Sequence, residues 1–326
     1  MQAAIESSIP GLDEIHQAAD LVYQLMPATP QYTWPLLNER AGAQIWVKHE
    51  NHSPVGAFKV RGGLAYMDWL KREHPETTTV VSATRGNHGQ SIALAAARMG
   101  IRAVIVVPHG NSREKNQAMR SLGAELVEHG EDFQAALEHA QHLEQENGWH
   151  WVPSFHRLLV AGVSTYALEF LTAVSGLETV YVPIGMGSGV CGMIAARNAL
   201  GLATRIVGVT SKHAPATALS FVRGEVVEHA VSTRIADGVS CRKPVEEALS
   251  IMRSGMERIV EVDDDEVEEA MRIYFADTHN VVEGAGAVGL AGVLKDATSG
   301  SCVGTVVTGG NVDSDVFAAV LLKRHR

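Results

Sequence analysis

Lys59 stands in the segment Ser53 to Gly63, SPVGAFKVRGG, among small and apolar residues ahead of a predicted helix. A lysine normally belongs to the solvated surface. Neighbours that withhold water disfavour the ammonium and leave an amine able to attack a carbonyl and form a Schiff base. No other lysine in the chain is expected in a comparable setting; the plainer alternative is a helix-start lysine with its stem packed on Phe58.

Three further segments end a strand in small residues. In ATRGNHGQS, which follows the strand TTTVVS, backbone amides at a strand-to-helix junction converge on an anion or carboxylate. The candidates for holding a substrate there are Ser82, Thr84, Arg85, Gly86, Asn87 and His88. His88 by itself reads as a structural histidine, since nothing beside it marks it as a base. In VPIGMGSGVCG, Val182 to Gly192, the glycines at 185, 187 and 189 let the backbone approach a phosphate at a helix N-terminus. Gly187 to Gly192 also fits G-x-G-x-x-G, which raises a nicotinamide dehydrogenase as an alternative. The next strand, RIVGVT, leads to Thr210, Ser211 and Lys212 without the acid that would hold an adenosine ribose. In VVTGGN, the Thr308 hydroxyl can bond a ring nitrogen, and the two glycines permit a flat ring nearby.

The elements that must position these residues alternate. TTTVVSA, IRAVIVVP, AELVEH and WHWVPS read as strands in the first half. ETVYVPI, RIVGVTS, ERIVEV and CVGTVVT read as strands in the second. Between them lie helices such as SIALAAARMG, a segment capped by Ser112 and closed near Gly123, EDFQAALEHAQHLEQEN and EVEEAMRIYFADTH. Short apolar strands separated by helices predict α/β architecture: two open, twisted, mostly parallel sheets flanked by helices, with sites at the carboxyl ends of the strands.

With 326 residues, 46% hydrophobic, the chain can bury a substantial core. A net charge of -10 argues against a nucleic-acid surface, and the acidic run Asp263 to Glu269 reads as a solvated helix start. Cys191, Cys241 and Cys302 form no CxxC pair or even disulfide framework, which fits a reducing, cytoplasmic setting. The opening MQAAIESSIPGL lacks a basic start followed by an apolar block, and no stretch reaches membrane-spanning length, so no membrane or secretory role is expected.

Taken together and in this order, GAFKVRGG, GNHG, the glycine loop and TGGN resemble the fold-type II pyridoxal-phosphate enzymes, above all the threonine/serine dehydratase and serine racemase family, across nearly the whole chain. The resemblance implies the tryptophan synthase β-like fold, with residues 1–50 plus 152–326 as a large cofactor-binding domain and 51–151 as a small mobile substrate domain. It implies pyridoxal 5'-phosphate carried by Lys59, which also moves the substrate's Cα proton. Phe58 would cover one ring face and Asn87 bond the ring hydroxyl. Gly185, Met186, Gly187, Ser188 and Gly189 would hold the phosphate, and Thr308 would meet the pyridine nitrogen. A neutral partner there leaves the ring less electron-demanding, which favours prompt expulsion of a β-hydroxyl. The implied activity is an ammonia-lyase (dehydratase) of amino-acid catabolism that converts threonine or serine to a 2-oxo acid and ammonia, in a cytoplasmic homodimer.

Three departures qualify it. The chain ends at Arg326, soon after TGGN, so a C-terminal regulatory domain is not expected. Thr210 to Ala216 offers no carboxylate where some relatives bind Mg or Ca, so no metal is expected; Glu283 or Asp237 would be the alternative ligands. Arg85 replaces a Ser or Ala, which argues against racemisation, since Arg is a poor base at neutral pH. A larger substrate, 3-hydroxyaspartate or a hydroxylated diamino acid derived from hydroxyectoine, or else racemisation, remains the alternative.

Overall fold

The structure, a computed structural model, describes residues 9–323. Residues 1–8 and the terminus at Arg326, on which expectations about secretion and regulation rest, lie outside the described residues. Along the chain the elements run α1 (Leu12–Tyr23), β1 (Gln31–Thr33), α2 (Pro35–Ala41), β2 (Gln44–His49), α3 (Lys59–Glu73), β3 (Thr79–Ala83), α4 (Asn87–Arg98), β4 (Arg102–Val107) and α5 (Arg113–Ser121). There follow β5 (Glu125–Glu128), α6 (Phe133–Asn147), β6 (His150–Trp151), α7 (Arg157–Ala173), β7 (Thr179–Pro183), α8 (Ser188–Ala199), β8 (Arg205–Ser211) and α9 (Ala216–Arg223). The last are α10 (Glu246–Gly255), β9 (Arg258–Val262), α11 (Asp264–Thr278), α12 (Gly284–Asp296), β10 (Cys302–Val307) and α13 (Ser314–Leu321).

The strands form two sheets. The larger has the order β1-β2-β10-β7-β8-β9, and the smaller β5-β4-β3-β6. Every pairing is parallel except β1 with β2. The mixed α/β fold with two mostly parallel sheets is therefore as the alternation of strand and helix patterns predicts. Parallel strands are buried on both faces, and the middle strands are accordingly largely apolar: Val180 and Val182 of β7, like Val104 to Val107 of β4, are almost fully buried. Around the larger sheet, one cluster of side chains includes Tyr166, Phe170 and Met193, and another Tyr274, Leu290 and Val307. The smaller sheet is closed by Met67, Leu70, Ile92 and Met119.

Local details correct the sequence reading in places. WHWVPS yields only a two-residue strand, because Pro153 has no amide to extend the ladder. The acidic run does start a helix, with Asp263 as its cap and Glu266 returning the bond. Asp264, however, is buried, accepting from Thr233 Oγ1 at 2.7 Å and the Arg234 amide at 2.8 Å. Ser112 caps α5 as its sequence position implies, accepting from the Lys115 amide.

Candidate active site

The segments around Lys59 and TGGN are stitched together by their backbones. Phe58 N donates to Thr308 O at 3.0 Å and Gly310 N to Gly56 O at 2.9 Å. Asn311 Nδ2 donates to Val55 O at 2.8 Å, and Ala57 and Gly309 form an isolated antiparallel bridge. These contacts fix the start of α3, whose first residue is Lys59. Its Nζ donates to Ser188 Oγ at 2.7 Å, at the first residue of α8. The Phe58 ring centroid lies 5.0 Å from Nζ. Phe58 is steadied edge-on by Tyr166, whose hydroxyl donates to Gly189 O at 2.8 Å.

Lys59 is half-buried by surface area, yet enough protein surrounds the amine that burial lowers it to about 8. Lys59 is not the only enclosed lysine, contrary to the expectation from sequence. Lys48 and Lys115 are more buried still. Pairing separates them: Lys48 faces Glu169 at 2.6 Å, and Lys115 faces Glu283 at 3.0 Å and Asp237 at 3.3 Å. Lys59 faces a neutral hydroxyl, so nothing there repays the desolvation of an ammonium. The carboxylates considered as metal ligands, Glu283 and Asp237, thus share the Lys115 ammonium.

Gly187, the residue before α8, has φ 100°, a left-handed conformation that glycine adopts without strain. A Cβ on Gly185 would come 2.5 Å from Gly238 O. On Gly189 it would meet the Phe58 ring at 3.6 Å and the Tyr166 hydroxyl at 3.8 Å, both ordinary contacts. Gly185 and Met186 keep partial exposure. The loop therefore leaves backbone open at the N-terminus of a twelve-residue helix, where free amides and the dipole favour an anion.

In the turn between β3 and α4, Thr84 Oγ1 accepts from Gly86 N at 3.0 Å and shapes the turn from within. Ser82 lies inside β3 and donates its hydroxyl proton to Val152 O at 2.8 Å, which leaves its oxygen able only to accept. Arg85 is exposed and makes no ion pair among the described residues. His88 is pushed down to about 3 by burial and by the nearby Lys59 charge, against its bond to the Pro153 carbonyl, and is therefore neutral. Its Nε2 is buried without a partner.

Asn87 Nδ2 donates to Glu283 Oε1 at 2.5 Å, and Asn87 Oδ1 accepts from Asn311 Nδ2 at 2.9 Å. An amide has two N–H groups, so one of those on Asn87 remains to be used. Thr308 is buried with only a long 3.4 Å contact from its hydroxyl to Ala285 O. An unpaired amine, an open helix N-terminus, a spare amide hydrogen and an under-satisfied buried hydroxyl fit the aldehyde, phosphate, ring hydroxyl and ring nitrogen of pyridoxal phosphate. The sequence reading missed Asn311, and it missed Glu283, Asp237 and Lys115 as a group. One hint was present: Lys115 sits in the first turn of α5, where the helix dipole disfavours a cation.

Comparison with known proteins shows what the chain as a whole is similar to. The biosynthetic L-threonine dehydratase of Haemophilus influenzae is 32% identical over 307 residues, which cover 93% of this chain but 60% of that protein's length. The L-threo-3-hydroxyaspartate ammonia-lyase of Saccharomyces cerevisiae is 31% identical over 316 residues, 96% of this chain and 97% of the yeast protein. Among solved structures, maize serine racemase matches with a TM-score of 0.88 at 27% identity, covering 96% of this chain and 97% of its own. Residues 22–309 match the family described as pyridoxal-phosphate dependent enzyme, and the chain belongs to that family, with pyridoxal 5'-phosphate as its cofactor.

Proposed function

We propose that the protein is a lyase that removes water from a β-hydroxy amino acid such as threonine or serine and yields a 2-oxo acid and ammonia. The observation that carries this reading is the Lys59 amine, enclosed, held near neutrality and aimed at the Ser188 hydroxyl rather than at a carboxylate. Phe58, Lys59, Asn87, Gly185, Met186, Gly187, Ser188, Gly189 and Thr308 are the residues that would hold the cofactor. Bound pyridoxal phosphate supplies the electron sink that makes a Cα–H bond labile. Lys59, as a free amine, takes the Cα proton. The turn that Thr84 braces, from Arg85 to His88, presents backbone amides to the substrate carboxylate. His88, lowered to about 3 by burial and the Lys59 charge, is too weak a base to hold a proton near neutral pH, and the Arg85 guanidinium cannot accept one; this favours elimination over racemisation.

Residues 51–151 read as the smaller, mobile substrate lobe. The chain reads as a cytoplasmic homodimer: its three cysteines are free, and Tyr32 on the edge strand β1, with Leu36 on the adjoining α2, leaves apolar surface uncovered. No helix among the described residues is long and apolar enough to cross a membrane.

A second reading, a dehydratase for 3-hydroxyaspartate or another substrate with a polar distal group, is favoured by Arg85, a guanidinium without an ion-pair partner beside Gly86. A screen of β-hydroxy amino acids for 2-oxo acid release tests both. Release from threonine or serine supports the first, turnover confined to acidic analogues supports the second, and inversion without 2-oxo acid would overturn both.

A further inference from the structure

Lys115 belongs to α5, which packs beside the smaller sheet, while of its partners Glu283 immediately precedes α12 and Asp237 lies between α9 and α10, both in the larger lobe. Its stem lies against the substrate turn, so that a Cβ on Gly86 would come 2.5 Å from Lys115 Cδ. Neighbouring contacts cross at the same place. Ser112 Oγ donates to Asp313 Oδ1 at 2.5 Å, and Glu114 Oε1 accepts from the Ser314 amide at 2.9 Å and hydroxyl at 2.7 Å.

The two ends of the ion pair do not mirror each other. Burial opposes the Lys115 charge, but Glu283 and Asp237 together outweigh it and hold the ammonium above its ordinary range. Burial raises Glu283, and Asp237 repels its charge further; Lys115 and Asn87 pull the other way. The carboxylate bears the cost of desolvation and of a like charge at once. Without a cation beside it, Glu283 has little reason to stay ionised. Ionised, its Oε1 accepts from Asn87 Nδ2, while Asn311 fixes the other end of the same amide.

We propose that Lys115 is a positioning residue for the cofactor: across the lobe boundary it holds Glu283, and through Glu283 it orients the Asn87 amide toward the ring hydroxyl. Docking of the first turn of α5 on the larger lobe therefore completes the cofactor site. This rests on the reading of Asn87 as a cofactor contact but not on the identity of the substrate.

The test uses the holoenzyme without substrate. Lys115→Met should weaken pyridoxal phosphate binding in equilibrium dialysis by about tenfold or more, the scale of a buried charged partner left unmet. It should also shift the absorption band of the bound cofactor, and Lys115→Arg, which keeps the charge, should recover part of both. If Lys115→Met does not fold, the double variant Lys115→Met/Glu283→Gln leaves neither charge of that pair unmatched and should fold with the shifted band. An unchanged band and affinity in Lys115→Met or in the double variant would overturn the proposal, as would equal loss in Lys115→Arg. Failure of threonine and serine to react would sink the substrate assignment and leave these measurements untouched.

Discussion

Replacing Arg61 with methionine removes a fully buried guanidinium two residues beyond Lys59 on α3. Arg61 bonds Glu50 through Nε at 2.7 Å and Nη2 at 3.0 Å, and Glu169 through Nη1 at 2.7 Å and Nη2 at 3.0 Å. Lys48 would still cover Glu169 at 2.6 Å. Glu50 would keep only the Thr29 hydroxyl at 2.5 Å. One carboxylate is thus orphaned in the core, and the expected cost is that of breaking one buried ion pair, about 3–5 kcal/mol. That is a large share of the ~5–15 kcal/mol typical of a folded domain. Urea unfolding at neutral pH reads the loss directly. The pH dependence has a defined sign. Burial raises Glu169, but Arg61 and then Lys48 outweigh it and hold the group below its ordinary 4.5. Its stabilising contribution is therefore present above 4.5 and is lost as pH falls through the lowered value. The gap between wild type and variant should narrow on acidification. A loss below about 1 kcal/mol, or a gap that widens as pH falls, would refute the reasoning.

Three further outcomes follow from the site. Burial lowers Lys59 to about 8, so the amine form populates above that value; cofactor capture by apo-protein, followed by absorbance, should rise through about pH 8, and an inflection near 10.5 would contradict the placement of the amine. Gly309→Ala would drive a Cβ into Glu283 Oε1 and to 3.0 Å from Asn87 Nδ2, so cofactor affinity should fall by about tenfold or more in dialysis, and an unchanged affinity would show that Asn87 is not a cofactor contact. Arg85→Ala should lower kcat/KM for 3-hydroxyaspartate by roughly 30-fold or more, the scale of an unmatched buried charge pair, and far less for serine or threonine; equal effects would leave Arg85 as a surface residue.

Much of this candidate site was legible because each segment proposed to hold the cofactor is local. GAFKVRGG, GNHG, the glycine loop and TGGN each end a strand or open a helix, and chain order alone set their roles by resemblance. The strands β1 and β2 were not legible: Gln31–Thr33 is too short to show alternation, and Lys48 hides a buried strand behind a charge that only the fold neutralises. Likewise, Lys115 gains its meaning from Glu283 and Asp237, far away in sequence. Pairing, more than residue type, separates Lys59 from Lys48 and Lys115, and pairing is a property of the folded chain.

Borohydride reduction of the holoenzyme followed by peptide mass mapping tests the central claim most directly, because it fixes the cofactor to whichever lysine carries it. The structure predicts the phosphopyridoxyl mass on the peptide that contains Lys59 and its absence in Lys59→Ala, while label on Lys48 or Lys115 would contradict the assignment of the unpaired amine as the cofactor's anchor.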